Sequence, residues 1–191
     1  MTMEIRKQVP LCDYTTLHIG GPAEYFTEVR DVPELRSAVA WAKERGLPFT
    51  ILGGGSNMFA SDAGVRGLVV RIAIVGNGVE ECGDDVLLTL GAGEVFDKVV
   101  AFAVSHGWWG LENLSCIPGS VGASPIQNIG AYGAEIRDVI ASVEAYDRER
   151  GEMVTLSPAE CAFGYRDSVF KHAAGGRYII TRVAYRLSKQ P

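Results

Sequence analysis

Cysteine, histidine and basic charge are all in short supply in this sequence, and each shortage removes a class of function. The four cysteines, Cys12, Cys82, Cys116 and Cys161, are scattered, with no Cys-x-x-Cys pair. That spacing excludes a zinc or dithiol redox motif and points to reduced thiols. The three histidines, His18, His106 and His172, are too few and too dispersed for a metal cluster. No metal is expected. Lysine and arginine number 18 against 23 acidic residues, for a net charge of −5. No basic stripe is visible, so no nucleic-acid partner is expected. No apolar run approaches the roughly twenty residues of a membrane span. Residues 1–10 carry charges and lack the apolar stretch of a signal peptide. The expectation is a cytoplasmic protein with no membrane partner, present as a monomer.

What the chain does have is apolar mass and glycine. Apolar residues make up 47% of its 191 residues and charged residues 21%, enough to bury a real core. The 23 glycines cluster in runs, which suggests backbone built to approach something closely. Residues 23–30, 48–52 and 67–72 read as strands. Residues 33–45 read as a helix with Leu35, Val39 and Ala42 on one face, Asp31 as N-cap and Gly46 as its stop. Together they form a β-α-β unit, which implies at least one parallel strand pair.

A strand at residues 86–90 ends at Gly91-Ala92-Gly93. A helix over 94–106 follows, with Val95, Val99, Phe102 and Ala103 on one side. Residues 111–134 are glycine-rich and unperiodic, and a loop of that length inside a compact domain is usually functional. Residues 139–147 and 153–156 read as a strand pair around a turn at 148–151, and Glu144, Asp147, Arg148, Glu149 and Arg150 read as a solvated hairpin end. Ser157, Pro158 and Glu160 form a capping-box signature for a short helix ending at Gly164. Residues 177–187 read as a final strand.

Three stretches carry candidate chemistry. The first is Gly53, Gly54, Gly55, Ser56 and Asn57, directly after a strand. Successive glycines can aim several N–H groups into one concavity, a phosphate-binding nest to which Ser56 and Asn57 add donors. It is neither a Walker loop nor a G-x-G-x-x-G fingerprint. A simple tight turn is the plainer reading, but it needs less than this sequence supplies. The second is residues 117–133, I-P-G-S-V-G-A-S-P-I-Q-N-I-G-A-Y-G. Its small residues allow backbone to run along an elongated ligand. Gln127 and Asn128 offer donors and acceptors that suit the amide edges of a flavin ring. An Ω-type surface loop with no ligand is the alternative. The third is residues 163–171, F-G-Y-R-D-S-V-F-K. Arg166 there either stabilises negative charge developing on an oxygen or forms a weak surface ion pair with Asp167, and pattern alone leaves both open.

In this order, these stretches resemble the UDP-N-acetylenolpyruvoylglucosamine reductase family of peptidoglycan precursor synthesis. The resemblance is carried by Thr15-Thr16-Leu17 with Gly20-Gly21-Pro22-Ala23, by residues 53–57, and by Gly91-Ala92-Gly93. It continues through residues 110–114, 117–119, 125–133 and 164–171.

The resemblance implies an α+β FAD-binding fold of the vanillyl-alcohol-oxidase (PCMH) type, with subdomains at 14–74 and 75–191. It implies FAD as cofactor and NADPH as reductant. Gly53, Gly54, Gly55, Ser56 and Asn57 would bind the pyrophosphate. Ile117, Pro118, Gly119, Gly122, Ser124, Gln127, Asn128, Gly130 and Ile180 would line the rest of the cofactor. Arg166 would be catalytic and Tyr132 and Tyr165 would contact the nucleotide-sugar substrate. NADPH would reduce the flavin first, and the enolpyruvyl ether would then enter the same cleft. In the family a third, substrate-binding domain follows the strand matched by residues 177–187 and carries the proton-donating serine. Nothing after Leu187 matches it, so the expectation is the FAD-binding portion alone. A non-catalytic flavin-binding module and another flavin oxidoreductase of the same fold are the alternatives.

Overall fold

The computed structural model describes residues 3–172 and 176–191, and the chain divides into two compact units, Met1–Ile74 and Val75–Pro191.

The first unit runs through strand β1 (Arg6–Pro10), a 3₁₀ turn at Leu11–Tyr14, strand β2 (Pro22–Val29), helix α1 (Val32–Glu44), strand β3 (Phe49–Leu52) and strand β4 (Val65–Ile72). Its sheet has the order β1-β2-β4-β3. Both β2 and β3 run parallel to β4, and β1 pairs antiparallel with β2. The expected parallel pairing therefore occurs twice, with β4 inserted between the strands that flank the helix. β4 takes the middle because Leu68, Val69 and Val70 are an unbroken apolar run and all three are fully buried, as a strand covered on both faces requires. α1 begins where the Asp31 carboxylate accepts from the Glu34 N–H at 2.7 Å. It buries Leu35, Ala38, Val39 and Ala42, one stripe at helical spacing, and stops at Gly46 with φ of 61°.

The second unit contains strands β5 (Asn77–Cys82) and β6 (Asp85–Gly91), helix α2 (Phe96–Ser105), and the short pair β7 (Gly130–Ala131) and β8 (Ala134–Glu135). Strands β9 (Ile140–Asp147) and β10 (Glu152–Leu156), the one-turn helix α3 (Val169–His172) and strand β11 (Tyr178–Ser188) follow. Five strands form one antiparallel sheet in the order β10-β9-β11-β6-β5. β11 is central, and its Val183, Tyr185 and Leu187 are fully buried on one face.

Several expectations need correction. β1 and β5 have no counterpart in the sequence reading. Both are edge strands rich in polar residues, and β5 is exposed along its whole length, so neither shows the alternation that betrays a half-buried strand. α2 buries Val99 and Ala103 as expected, but Phe96 and Val100 in place of Val95 and Phe102. Val95 stands outside the helix, 48% exposed, because its backbone pairs with Ser120. The Ser157–Glu160 capping box does form, with Glu160 accepting from the Ser157 N–H at 2.8 Å and from its hydroxyl at 2.7 Å. It caps a single turn, however, since Ala162 has φ of 48°, outside the helical region. Asp147 is not solvated. It is fully buried, accepts two bonds from Arg177 Nε and one at 2.6 Å from Nη2, and accepts from the N–H groups of Glu149 and Arg150. Arg177 holds its carboxyl down at about 2, and this buried acid pins the β9–β10 hairpin.

Candidate functional site

The glycine loop of the first unit follows β3 without a break. Gly55 has φ of 69°, and a Cβ there would run into the Tyr14 carbonyl. Only glycine fits that position. The Gly55 carbonyl accepts from the Thr16 N–H at 3.1 Å, while Thr15, nearly buried, donates its hydroxyl to the Ile19 carbonyl at 2.9 Å. The Thr15-Thr16-Leu17 stretch thus braces the loop from behind. Gly54 and Asn57 are exposed and Gly53 and Ser56 half-buried. The five residues contain no carboxylate, so they offer backbone N–H groups, a hydroxyl and an amide with nothing to repel an anion. That donor set fits a pyrophosphate.

In the second unit, residues 117–130 contain no charged side chain and are not an open surface loop. Val121, Ser124, Asn128 and Ile129 are buried. The stretch is stitched to the entry of α2, with the Phe96 N–H donating to the Gly119 carbonyl at 3.0 Å and the Val121 N–H to the Glu94 carbonyl at 2.9 Å. Gly122 packs so tightly on Ala92 that a Cβ would clash. Its small size serves packing within the protein. The Ser124 hydroxyl donates to the Val121 carbonyl at 2.8 Å and pairs with the Tyr185 hydroxyl at 2.8 Å. Ser124 is therefore committed inside the fold. Burial pushes the Tyr185 hydroxyl well above its ordinary range.

The Asn128 carboxamide is engaged within the protein: Nδ2 donates to the Glu135 carboxylate at 3.0 Å and to the Gly164 carbonyl at 2.9 Å, and Oδ1 accepts from the Arg137 N–H at 3.2 Å. Ile180 is nearly buried in β11 opposite Ala145. Half-buried Ile117, Gly119, Gln127 and Gly130 and exposed Pro118 are the members of the set at the surface. A neutral track of this kind fits the isoalloxazine and its chain.

Residues 164–171 fold against this track. Gly164 and Asp167 exchange backbone bonds of 3.0 and 3.3 Å that close a tight turn. Arg166 sits at its tip with φ of 53° and donates from Nη2 to the Gly130 carbonyl at 2.9 Å. The buried Ser168 hydroxyl donates to the Ile126 carbonyl at 2.6 Å, and Lys171 Nζ donates to the Arg166 carbonyl at 3.0 Å. Asp167 is committed to His172, 2.7 Å away, and that bond holds its carboxyl below the usual range. Arg166 thus bonds Gly130 and Asp167 bonds His172, in place of the Arg166–Asp167 ion pair that was one of the two open readings. Tyr132 and Tyr165 stand almost fully exposed, at 89% and 85%. Cys116, Asn128, Tyr132, Ala162 and Arg166 all have positive φ, and strained backbone of this kind gathers where a site imposes it.

Glu135, Arg137 and Tyr185 carry no signal in the sequence. Their contacts span 7, 9 and 61 residues, and only the capping box joining Glu135 to Asp138 has a local signature.

Residues 23–157 match the protein family described as FAD binding domain. The chain belongs to this family of FAD-binding domains. Its fold is of the vanillyl-alcohol-oxidase type, shared with a solvent-stable cholesterol oxidase at TM-score 0.68 and 15% identity, covering 98% of this chain and 38% of that one. FAD is the cofactor the family binds. Among proteins similar over the full chain is the UDP-N-acetylenolpyruvoylglucosamine reductase of Chromobacterium violaceum, 46% identical over 192 residues that make up 56% of its length. The Pseudomonas putida reductase is 45% identical over 190 residues, again 56% of its length. The crystal structure of the reductase from Thermus caldophilus superposes at TM-score 0.81 and 33% identity, covering 100% of this chain and 64% of that one. The chain thus spans little more than half the length of these curated relatives. Among the described residues no helix is long and apolar enough to cross a membrane, and no group of three or more His, Cys, Asp or Glu is placed to hold a metal.

Proposed function

We propose that this FAD-binding domain serves the NADPH-dependent reduction of UDP-N-acetylglucosamine enolpyruvate to UDP-N-acetylmuramate, in the cytoplasm, with residues 14–74 and 75–191 as two FAD-binding subdomains. Arg166 carries the reading. In a chain 46% identical to a named reductase, its guanidinium is tied to the Gly130 carbonyl of the neutral track at 2.9 Å.

Bound FAD supplies the hydride chemistry. The chain's own residues bind, orient and polarise. Gly53, Gly54 and Gly55 with Ser56 and Asn57 hold the pyrophosphate through N–H donors and dipoles. Ile117, Pro118, Gly119, Gln127 and Gly130 would hold the ring and its chain along the neutral track, and Gly122, Ser124, Asn128 and Ile180 support that track from inside. Reduction of an enol ether conjugated to a carboxylate builds negative charge on the carboxylate oxygens as the β-carbon accepts hydride. A guanidinium held at that point stabilises the charge as it grows, where a mobile one would have to reorganise. Arg166 offers such a cation, with its backbone already fixed. Exposed Tyr132 and Tyr165 offer rings and hydroxyls to the nucleotide sugar.

The test is anaerobic titration of the FAD-loaded protein with NADPH. Loss of the oxidised flavin absorbance supports the reading. A flavin that stays oxidised under excess NADPH rejects it in favour of a binding module without redox function.

A further inference from the structure

We propose that Asn128 is a positioning residue whose buried carboxamide locks the Arg166 turn onto the flavin-lining track and so sets where the guanidinium stands. This rests on the assignment of Arg166 made above.

Arg166 is exposed, so burial does not hold its side chain in place. Its position depends on the turn beneath it, and that turn is gripped from the track. The Gly164 carbonyl accepts the Asn128 Nδ2 donor at 2.9 Å. Two residues along the same track, the Gly130 carbonyl accepts Arg166 itself. Asn128 is completely buried, where an unmet amide would be costly.

The partners also dictate the residue type. Two acceptors, Glu135 Oε2 and the Gly164 carbonyl, face one end of the amide, and one donor, the Arg137 N–H, faces the other. This pattern fixes which end is nitrogen. Only a carboxamide offers two donors and an acceptor in that plane. Aspartate would set a second carboxylate 3.0 Å from Glu135. Glu135 is held in turn by Arg137 Nε at 2.7 Å. At φ of 43° Asn128 occupies the left-handed region that asparagine tolerates better than most residues. The network costs backbone strain and a half-buried acid. What it delivers is a rigid link between residues 36 apart in sequence.

The experiment measures the midpoint potential of the bound flavin in the FAD-loaded wild type, Arg166→Ala, Asn128→Gly and the double variant, each with its thermal midpoint. A cation held at the ring stabilises reduced flavin, so Arg166→Ala lowers the potential. Asn128→Gly keeps the unusual φ and removes the carboxamide. It is expected to lower the potential in the same direction by at least half as much, with the double variant no lower than Arg166→Ala alone. An Asn128→Gly protein that binds flavin at the wild-type potential, while Arg166→Ala is shifted, overturns the positioning role and leaves the reading of Arg166 standing. No shift in Arg166→Ala puts the guanidinium away from the ring and overturns the proposal, while its role toward the substrate carboxylate is tested separately by the reoxidation rate. If Asn128→Gly fails to fold or to hold flavin, Glu135→Gln, which weakens the same anchor, is judged by the same criteria.

Discussion

Arg166 and Gly130 are joined by a 2.9 Å hydrogen bond from a guanidinium to a main-chain carbonyl, across 36 residues of sequence. The bond occupies one nitrogen of a five-donor fork and leaves the others for a ligand. Arg166→Ala is therefore expected to retain FAD and its thermal stability while the reduced flavin is reoxidised by the enol ether about 100- to 1,000-fold more slowly, the scale seen when one positioned donor is lost from a reacting centre. Stopped-flow reoxidation in a protein of full reductase length checks this, and an unchanged rate contradicts it.

Gly55→Ala forces a Cβ into the Tyr14 carbonyl at a φ of 69°. Backbone strain of this kind costs about 1–3 kcal/mol, and the loop must move to relieve it. FAD affinity is expected to fall at least tenfold in fluorescence titration, with the far-UV spectrum intact.

Ser124 and Tyr185 share a buried hydrogen bond. Ser124→Ala leaves the tyrosine hydroxyl buried with its partner gone, at a cost of about 1–3 kcal/mol. Tyr185→Phe leaves Ser124 its bond to the Val121 carbonyl and is expected to cost less, about 0.5–1.5 kcal/mol. Urea midpoints of the two variants rank them, and the reverse order refutes the argument.

Acid stability follows from Asp147. Arg177 holds its folded-state carboxyl at about 2, against 3.8 for the free group. A depressed carboxyl contributes stability that is fully present above the unfolded value and is lost as pH falls through the folded one. The pair therefore supports the fold above 3.8 and gives up its contribution between 3.8 and about 2. Arg177→Ala leaves the buried acid only the more distant Arg150, 3.7 Å away, and is expected to lower stability at neutral pH. Its stability is expected to vary less across that acid interval, as urea midpoints at several pH values will show.

Cys161 is fully buried, and desolvation pushes its thiol up to about 12. Cys82 and Cys116 are exposed. A thiol reagent at neutral pH should modify Cys82 and Cys116 in the native protein and reach Cys161 only in denaturant, since the thiolate is the reactive species. Peptide mapping after brief labelling reads the result, and early modification of Cys161 refutes it.

Most of this architecture was legible in the sequence wherever apolar residues kept a period. The Leu35–Ala42 stripe and the long β11 declared themselves because burial of one face demands regular spacing, and the Leu68–Val70 run because a strand covered on both faces is apolar throughout. The edge strands β1 and β5 did not, since pairing with a neighbour holds them and, Val9 apart, their side chains are not buried. At the candidate site, the glycine loop and the neutral track were visible as unusual composition. The duties of individual residues were not. Asn128 read as a ligand donor because its side chain can donate, and Ser124 as a small residue beside a ligand, yet the Asn128 amide is spent on Gly164 and Glu135 and the Ser124 hydroxyl on Val121 and Tyr185. Whether a polar side chain turns inward is settled by partners far along the chain, which no local window contains. Asp147 shows the same thing, as its arginine lies 30 residues away.

β11 occupies the middle of the five-stranded sheet although it is the last of those strands in sequence. On the ribosome, the sheet of the first unit has all its strands once Ile72 has emerged. The second sheet must wait with β6 and β9 lacking their shared neighbour until Tyr178–Ser188 is made. Nascent chains halted before that point would display two unpaired strand flanks, the kind of surface chaperones engage. The second unit is therefore the slower to mature and the more vulnerable to a premature stop codon.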